Sequence, residues 1–369
     1  MSQTKAQLVS GTTAQDLTVD NINTTSINSG QTSGKKNLVI NGAMNIAQRG
    51  TSSTSSGYAT LDRFRLTIAN TDQAAFTQKQ VTDSPDDFSQ SYEFDVTTAE
   101  TSLDSNEYAF IGHRIEAQNL QSVKANQVTL SFHVKAKQTG TYAINIYQSD
   151  GNIQVTKTYT ISQTATWEKK TLTFPANTGT QPNNDNGFGW EIAWIMAAGS
   201  DLTSSDSTSW GTYSDAGFAF GQGVNVLSST DNYFKITGVQ LEVGSTATDF
   251  EHRTFGEELD LCKRYYFRNT SVVAYARFAQ GQAVNSTGSH HRIQYPVAMR
   301  AAPTFATGGN IAVWEKNTVR TISGSITISQ ANTNTCDINA NTTSMTGGSA
   351  CALIANNDAT AYFEFIAEL

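Results

Sequence analysis

The chain has 369 residues, with 24 basic against 32 acidic side chains, a formal net charge of −8 and only 15% charged residues. That balance excludes a protein held to nucleic acid by its phosphates, which needs a surplus of lysine and arginine. The length predicts two or three folded units, and 18 Phe, 13 Tyr and 5 Trp among many Gly, Ser, Thr and Asn residues predict strands joined by turns.

In chain order, Met1–Thr13 has no apolar core of the length a secretory signal needs, and no run approaches the ~20 apolar residues of a membrane span. The expectation is a protein made and kept in a cytosol, without membrane insertion. Residues 1–36 form a polar N-terminal segment with spaced aliphatics, Leu17, Val19, Ile22 and Ile27. Such a segment cannot bury enough apolar surface by itself to offset its ordering entropy, so it either docks on a partner or stays mobile.

Residues 37–252 alternate. Val128, Leu130, Phe132 and Val134 take every second position, as do Tyr142, Ile144 and Ile146, and Trp190, Ile192, Trp194 and Met196. This is the period of half-buried antiparallel strands. Turn material separates the runs, and no repeat of fixed period is present, so the expected fold is an antiparallel jelly-roll β-sandwich with Trp190 and Trp194 in its core.

Residues 253–268 read as a short helical neck. Thr254 and Glu257 have capping-box spacing, with Glu257 and Glu258 at the positive end of the helix dipole and Lys263 and Arg264 at the negative end. Phe255, Leu259, Cys262 and Tyr266 form one narrow stripe that requires a neighbour, either the helix's own domain or identical copies around an axis.

Residues 269–369 alternate again, at Val272, Ala274, Ala276 and Phe278, at His291, Ile293, Tyr295 and Val297, and at Phe363, Phe365 and Ala367. They predict a second, C-terminal β domain, with long polar loops between Ala306 and Ala359 as places for binding residues. Cys262, Cys336 and Cys351 are too few and too far apart for a disulfide framework and are expected as buried thiols.

Candidate contact residues follow from chemistry. His290, His291 and Arg292 offer receptor contacts, a buried histidine, or a metal on a symmetry axis. Adjacent strand residues point to opposite faces, so at most one histidine faces any such axis. Trp210 and Tyr213 in a turn-rich loop can stack on sugar rings or pack on the sandwich, and Trp314 is either a tip contact or a strand-end core residue. Asp83, Asp86, Asp87 and Asp185 lack the spacing of a calcium loop and read as turn formers. No metal site or cofactor is expected. No carboxylate pair stands out as a glycosidase dyad, and no nucleophile-elbow, zinc-protease or phosphate-loop motif is present.

Several stretches carry a family likeness. Asn37-Leu-Val-Ile-Asn-Gly-Ala-Met-Asn-Ile-Ala-Gln-Arg-Gly50, Leu61-Asp-Arg-Phe64, Phe234-Lys-Ile-Thr-Gly-Val-Gln-Leu-Glu-Val-Gly244, Ala247–Arg253, Gly256–Tyr266, Tyr295–Thr304 and the last eight residues resemble tail fibres and receptor-binding proteins of tailed bacteriophages. One departure is Ala47, where that family usually has an aromatic before Gln-Arg-Gly. The resemblance spans roughly residues 37–305 plus the final strand. It implies a homotrimer with a carbohydrate-binding-module-like jelly roll. It also implies an N-terminal segment attached to the phage tail or an adaptor protein, with Leu17, Val19, Ile22 and Ile27 as contacts, and a virion location. The helical neck with Phe255, Leu259, Cys262 and Tyr266 would join three copies. Distal β domains would bind a host polysaccharide or lipopolysaccharide, with His290, His291, Arg292, Trp314, Trp210 and Tyr213 as candidates. The expected protein is not an enzyme. The alternatives are a glycan-degrading tailspike-type enzyme and a purely structural virion decoration.

Overall fold

The computed structural model describes residues 36–369, together with the backbone of Ser26–Ile27 and Gly30–Gln31, which pair as a short antiparallel ribbon. Leu17, Val19 and Ile22 lie outside the described residues, and nothing is described of the Ile27 side chain.

The expected mainly-β, antiparallel sandwich is what the structure shows. Two six-stranded sheets face each other. In spatial order the first runs Gly211–Thr212, Ile153–Ile161, Gly140–Gln148, Phe188–Ala198, Tyr108–Glu116 and Phe64–Ala69. The second runs Glu168–Phe174, Val128–Ala136, Tyr233–Val243, Ser91–Thr98, Ala75–Val81 and Ser52–Ser53. The alternating residues read from the sequence form the shared core. Trp194 of the first sheet meets Phe132 of the second edge-on at 6.0 Å between centroids, and Tyr142 meets Phe234 at 5.7 Å. Trp190 and Trp194 are both buried, as expected.

The strand of residues 188–198 is buried on both faces, so alternation shows only half of its environment. The segment from Gly199 to Gln222 lies over its outer face and closes a second apolar cluster of Phe110, Ala143, Ala193, Ile195, Leu202, Phe218 and Ala219. Polar side chains moor that segment. Gln154 donates to the Ser214 carbonyl at 2.9 Å, Thr156 to the Gly217 carbonyl at 3.0 Å, and the Ala143 amide donates to the Gln222 side chain at 2.7 Å.

The helix spans Phe255–Lys263 and carries the full capping box, with Thr254 accepting from the Glu257 amide and Glu257 accepting from the Thr254 amide. Its buried face differs from the expected stripe. Glu258 and Cys262 turn inward, Leu259 is half-buried and Phe255 is 63% exposed. Tyr266 is buried, but it begins the next strand, Tyr266–Thr270, because the helix stops three residues earlier. The reason for the inward face is polar: Glu258 accepts from the Asn41 amide at 2.5 Å and pairs with Arg253 at 3.3 Å, which docks the helix on the sandwich.

The C-terminal part holds a three-stranded sheet (Tyr266–Thr270, Tyr362–Ile366, Thr304–Gly308) and a seven-stranded sheet around a separate core of Leu353, Val313, Ile338, Phe363 and Phe365 among others. Two expectations are corrected here. Val272, Ala274 and Ala276 are not in a strand: residues 271–276 form a turn with Val272 82% exposed, and the strand begins at Arg277. The region from Ala306 to Ala359 is not mainly long loops. It contains Ile311–Glu315, Thr318–Thr321, Thr327–Ser329, Thr335–Asn341 and Ala350–Ala355. Thr335, Asp337, Asn339 and Asn341 occupy the outward positions of this last-but-one strand, Thr335–Asn341, while Cys336, Ile338 and Ala340 point inward. Lys316 and Asn317 both have positive φ (46° and 60°), making a tight hairpin in place of a loop. All three cysteines are free and buried.

The motifs quoted above meet where the two β bodies join. The Gly42 carbonyl accepts from the Val239 amide at 2.9 Å, and a Cβ on Gly42 would lie 2.1 Å from the Val239 oxygen, so only glycine permits this approach. Arg63, fully buried at φ 69°, pairs with Glu368, lies 3.5 Å over the Tyr265 ring and donates to the Arg114 carbonyl. Burial alone would lower its basicity, but Glu368 outweighs that and the guanidinium stays more basic than usual. Arg49 lies 3.4 Å over Tyr266 and pairs with Glu368 at 3.2 Å and with Asp62 at 3.7 Å. Arg300 donates to the Ala367 and Glu368 carbonyls at 2.7 and 2.9 Å.

Glu368→Ala would leave a buried guanidinium without its counter-charge, and is expected to cost about 3–5 kcal/mol in denaturant unfolding. An unfolding midpoint equal to wild type would show that the pair is dispensable. Thr254→Ala is expected to cost about 1 kcal/mol in the same measurement, through loss of the cap.

Candidate functional site

Beside the covering segment, the outer face of the first sheet holds a cleft of about 740 Å³. It crosses four neighbouring strands, from Arg65 and Thr67 through Tyr108, Phe110 and Arg114, then Phe188 and Glu191, to Tyr147. Asp201, Leu202, Tyr213, Asp215 and Phe218 of the covering segment close its other side.

Aromatic rings line it in two groups. Tyr108 stacks with Phe110 at 6.1 Å, and both meet Phe218 edge-on at 5.8 and 5.5 Å. Tyr147 contacts Phe188 at 6.0 Å and Tyr213 at 5.2 Å. Tyr108, Tyr147, Phe188 and Tyr213 are all half-buried, so each keeps part of its ring toward the cleft or solvent. The Tyr213 hydroxyl donates to Asp215 at 2.8 Å; burial first, and then that carboxylate, raise its pKa.

Arg65 and Arg114 also line the cleft, both bound to one carboxylate oxygen, Glu191 Oε1, at 3.2 and 3.0 Å. Arg114 is fixed further by the Phe188 ring, 4.5 Å from its guanidinium carbon, and by the Leu369 carbonyl at 2.7 Å. Planar charged groups beside half-exposed rings suit a ligand with both apolar faces and hydroxyl edges.

The candidates read from the sequence fall in different places. Tyr213 is in the cleft. Trp210 lies beside the two-residue edge strand Gly211–Thr212, in a separate hollow of about 490 Å³ against Pro175–Thr180, its ring tilted at 40° to that of Trp190 at 5.5 Å and donating to the Pro175 carbonyl at 2.8 Å. Both reside far along the fold from His290, Arg292 and Trp314. His290 and Arg292 are exposed on one face of Gly288–Gln294, with Arg292 paired to Asp337 at 3.0 Å. Trp314 is half-buried beneath Arg277, whose guanidinium carbon is 4.7 Å from its ring.

His291 is corrected: its side chain is fully buried and bonded to Ser289 at 2.9 Å, so a receptor cannot touch it in this conformation. Gly281 makes room for it, since a Cβ there would lie 2.6 Å from its Nδ1.

Sequence reading missed Tyr108, Tyr147, Phe188, Arg65, Arg114 and Glu191. The available signal was that Tyr108-Ala-Phe-Ile111 carries apolar residues on both strand faces, which marks an outer face with something laid against it; Phe188 gave no such signal, because it stands two residues from Trp190 and a register shift lies between them. The acidic residues considered for calcium do not converge. Asp83 instead binds Lys135 and Lys235 at 2.9 and 2.8 Å. Among the described residues, one acidic trio, Asp72, Asp104 and Glu107, has ligand atoms within 4.8 Å of one another, the spacing a hard cation would need.

No protein-family model and no curated protein matches the sequence. Parts of the chain are similar to solved structures. A putative sugar-binding protein from Bacteroides thetaiotaomicron is 14% identical over 56% of this chain and 100% of its own, with a TM-score of 0.35. The enzymatically active domain of bacteriophage CBA120 tailspike protein 4 is 15% identical over 56% of this chain, with a TM-score of 0.30, and this chain spans only 21% of it. A family 11 carbohydrate-binding module of Clostridium thermocellum is 11% identical over 53% of this chain and 96% of its own, at a TM-score of 0.28.

Two histidines, His113 and His291, are fully buried and held below their ordinary pKa by burial, which gives stability a pH dependence. Burial pushes His291 down from 6.5 to about 4, so the unfolded chain binds the proton first and stability is lost as pH falls through that window. Asp62, lifted by burial from 3.8 to about 6 against the pull of Arg49, has the opposite sign: its folded form binds the proton first, and stability is lost as pH rises from 3.8 to 6. Each is on the order of 3 kcal/mol and they offset. His291→Gln is therefore expected to gain stability relative to wild type as pH falls from 6.5 to 4, read from unfolding midpoints. Parallel pH curves for variant and wild type would contradict this.

Proposed function

We propose that this chain binds a host cell-surface glycan in the cleft on the outer face of its first sheet, without cleaving it, as the receptor-binding part of a bacteriophage tail fibre. The observation that carries the binding reading is the pairing of two aromatic groups, Tyr108–Phe110–Phe218 and Tyr147–Phe188–Tyr213, with Arg65, Arg114 and Glu191 in one open cleft. Sugar rings present apolar C–H faces to aromatics and hydroxyl edges to planar charged groups, and the cleft offers both. The fibre reading rests on the sequence resemblance at Ile40–Gly42, Gln48–Gly50, Asp62–Arg63 and Thr237–Glu242.

The non-catalytic reading is supported by the cleft's carboxylates. Glu191 is held by two guanidiniums, Asp201 accepts from Ser105 at 2.7 Å, and Asp215 accepts from Tyr213. A glycosidase needs one carboxyl that gives its own proton to the leaving oxygen. Assembly as a homotrimer is part of the proposal. Phe255, whose ring stands 63% exposed at the start of the helix, is an apolar surface that contact between copies would cover.

Binding of the purified chain to host envelope polysaccharide by calorimetry, with reducing ends assayed in the same samples, tests this reading. The expected result is saturable binding without reducing ends, weakened about tenfold, or about 1.4 kcal/mol, by Tyr213→Ala. Release of reducing ends would establish the glycan-degrading alternative, and unaltered binding by Tyr213→Ala would remove the cleft from the reading. For assembly, the solution mass is expected at three chain masses and at one for Phe255→Glu; a wild-type monomer would refute the trimer.

A further inference from the structure

We infer that the cleft selects neutral sugars that present two adjacent free hydroxyls, and rejects acidic glycans. The inference rests on the glycan-binding reading above and names the class of glycan.

Its basis is the arrangement of Arg65, Glu191 and Arg114. Both guanidiniums bind the same carboxylate oxygen, Oε1, which locks three planar groups together with side-chain exposures of 23%, 13% and 23%. Among the described residues, no donor reaches Glu191 Oε2, and Nη2 of Arg65 and Nη2 of Arg114 reach no acceptor. The array therefore offers a fixed acceptor beside fixed donors. Two hydroxyls on neighbouring carbons satisfy such a pair together: one donates to the carboxylate while the other accepts from a guanidinium. Preorganisation matters, because side chains already tied to each other and to Phe188 and Leu369 lose little freedom on binding.

The same array works against a sugar acid. A ligand carboxylate would be drawn to the guanidiniums, but their shared partner is already a carboxylate. Asp201 and Asp215 add two more acidic groups to the cleft lining, so three carboxylates stand against two guanidiniums. A uronic or sialic acid must displace Glu191 or lie beside it, and like charges in a partly desolvated cleft are a means of rejection. A hydroxyl ligand meets no such penalty.

The test uses the full chain at constant ionic strength, titrated with three neutral polysaccharides (mixed-linkage β-glucan, galactan and mannan) and two acidic ones (polygalacturonate and polysialic acid). Wild type is compared with Glu191→Gln, which keeps the shape and removes the charge, and with Asp215→Asn at the rim, whose thermal melts verify folding. The expected result is binding to at least one neutral polymer, with both acidic polymers at least tenfold weaker. Glu191→Gln is expected to lose about tenfold on the neutral ligand and narrow the gap, and Asp215→Asn, which removes a second cleft carboxylate, is expected to narrow it as well. An O-methylated form of the bound polymer is expected to bind at least tenfold more weakly. If acidic polymers bind wild type as well as neutral ones, or if neither variant changes the ratio, the inference is overturned while glycan binding stands. If no polymer in either group binds, the inference fails together with the glycan reading.

Discussion

The buried pair between Arg63 and Glu368 is the constraint on which the rest of the molecule depends. A guanidinium with no exposure to water is tolerable only with a counter-charge in place, and here that charge comes from the far end of the sequence. The pair thus makes the position of the last strand a condition for the stability of the first sandwich. Around it, Arg49, Asp62, Tyr265 and Tyr266 add stacked rings and further ion pairs, and Arg253 with Glu258 locks the helix to the same place. The two β bodies are joined through charges and rings as well as by the connecting chain.

Much of this architecture was legible in the sequence, and the reasons differ by element. Val128–Ala136 announced itself because its period of two survives in the fold. The helix was legible because Thr254 and Glu257 are a local signal that needs no tertiary partner. Its buried face was not, because Glu258 turns inward to meet the Asn41 amide, and no hydropathy scale expects glutamate there. Val272 to Ala276 imitated a strand because small apolar residues alternate by composition alone, whereas the Thr- and Asn-rich strands after residue 304 hid their pattern behind polar outward positions.

The candidate site was legible only at Tyr213. Its other members are dispersed over residues 65 to 218 and become neighbours only when strands that are distant in sequence pair in the sheet. The motifs that carried the family likeness proved to be a different set: Gln48, Arg49, Asp62, Arg63 and Glu368 lie at the joint, and none of them lines the cleft. A likeness built on such residues speaks of how the bodies are held and leaves the ligand to be argued from Arg65, Arg114, Glu191 and the rings around them.

The joint also imposes an order on biosynthesis. Arg63 leaves the ribosome 305 residues before Glu368 does, so the sandwich must pass through synthesis with its central guanidinium uncompensated. Domains generally form as units during translation, the N-terminal one first. The sandwich then waits in an incompletely secured state until residue 368 emerges and swings back to it. A nascent chain stalled shortly before that point is a distinct species, open at the joint, where the contacts of Glu368 with Arg63 and of Leu369 with Arg114 are still to form.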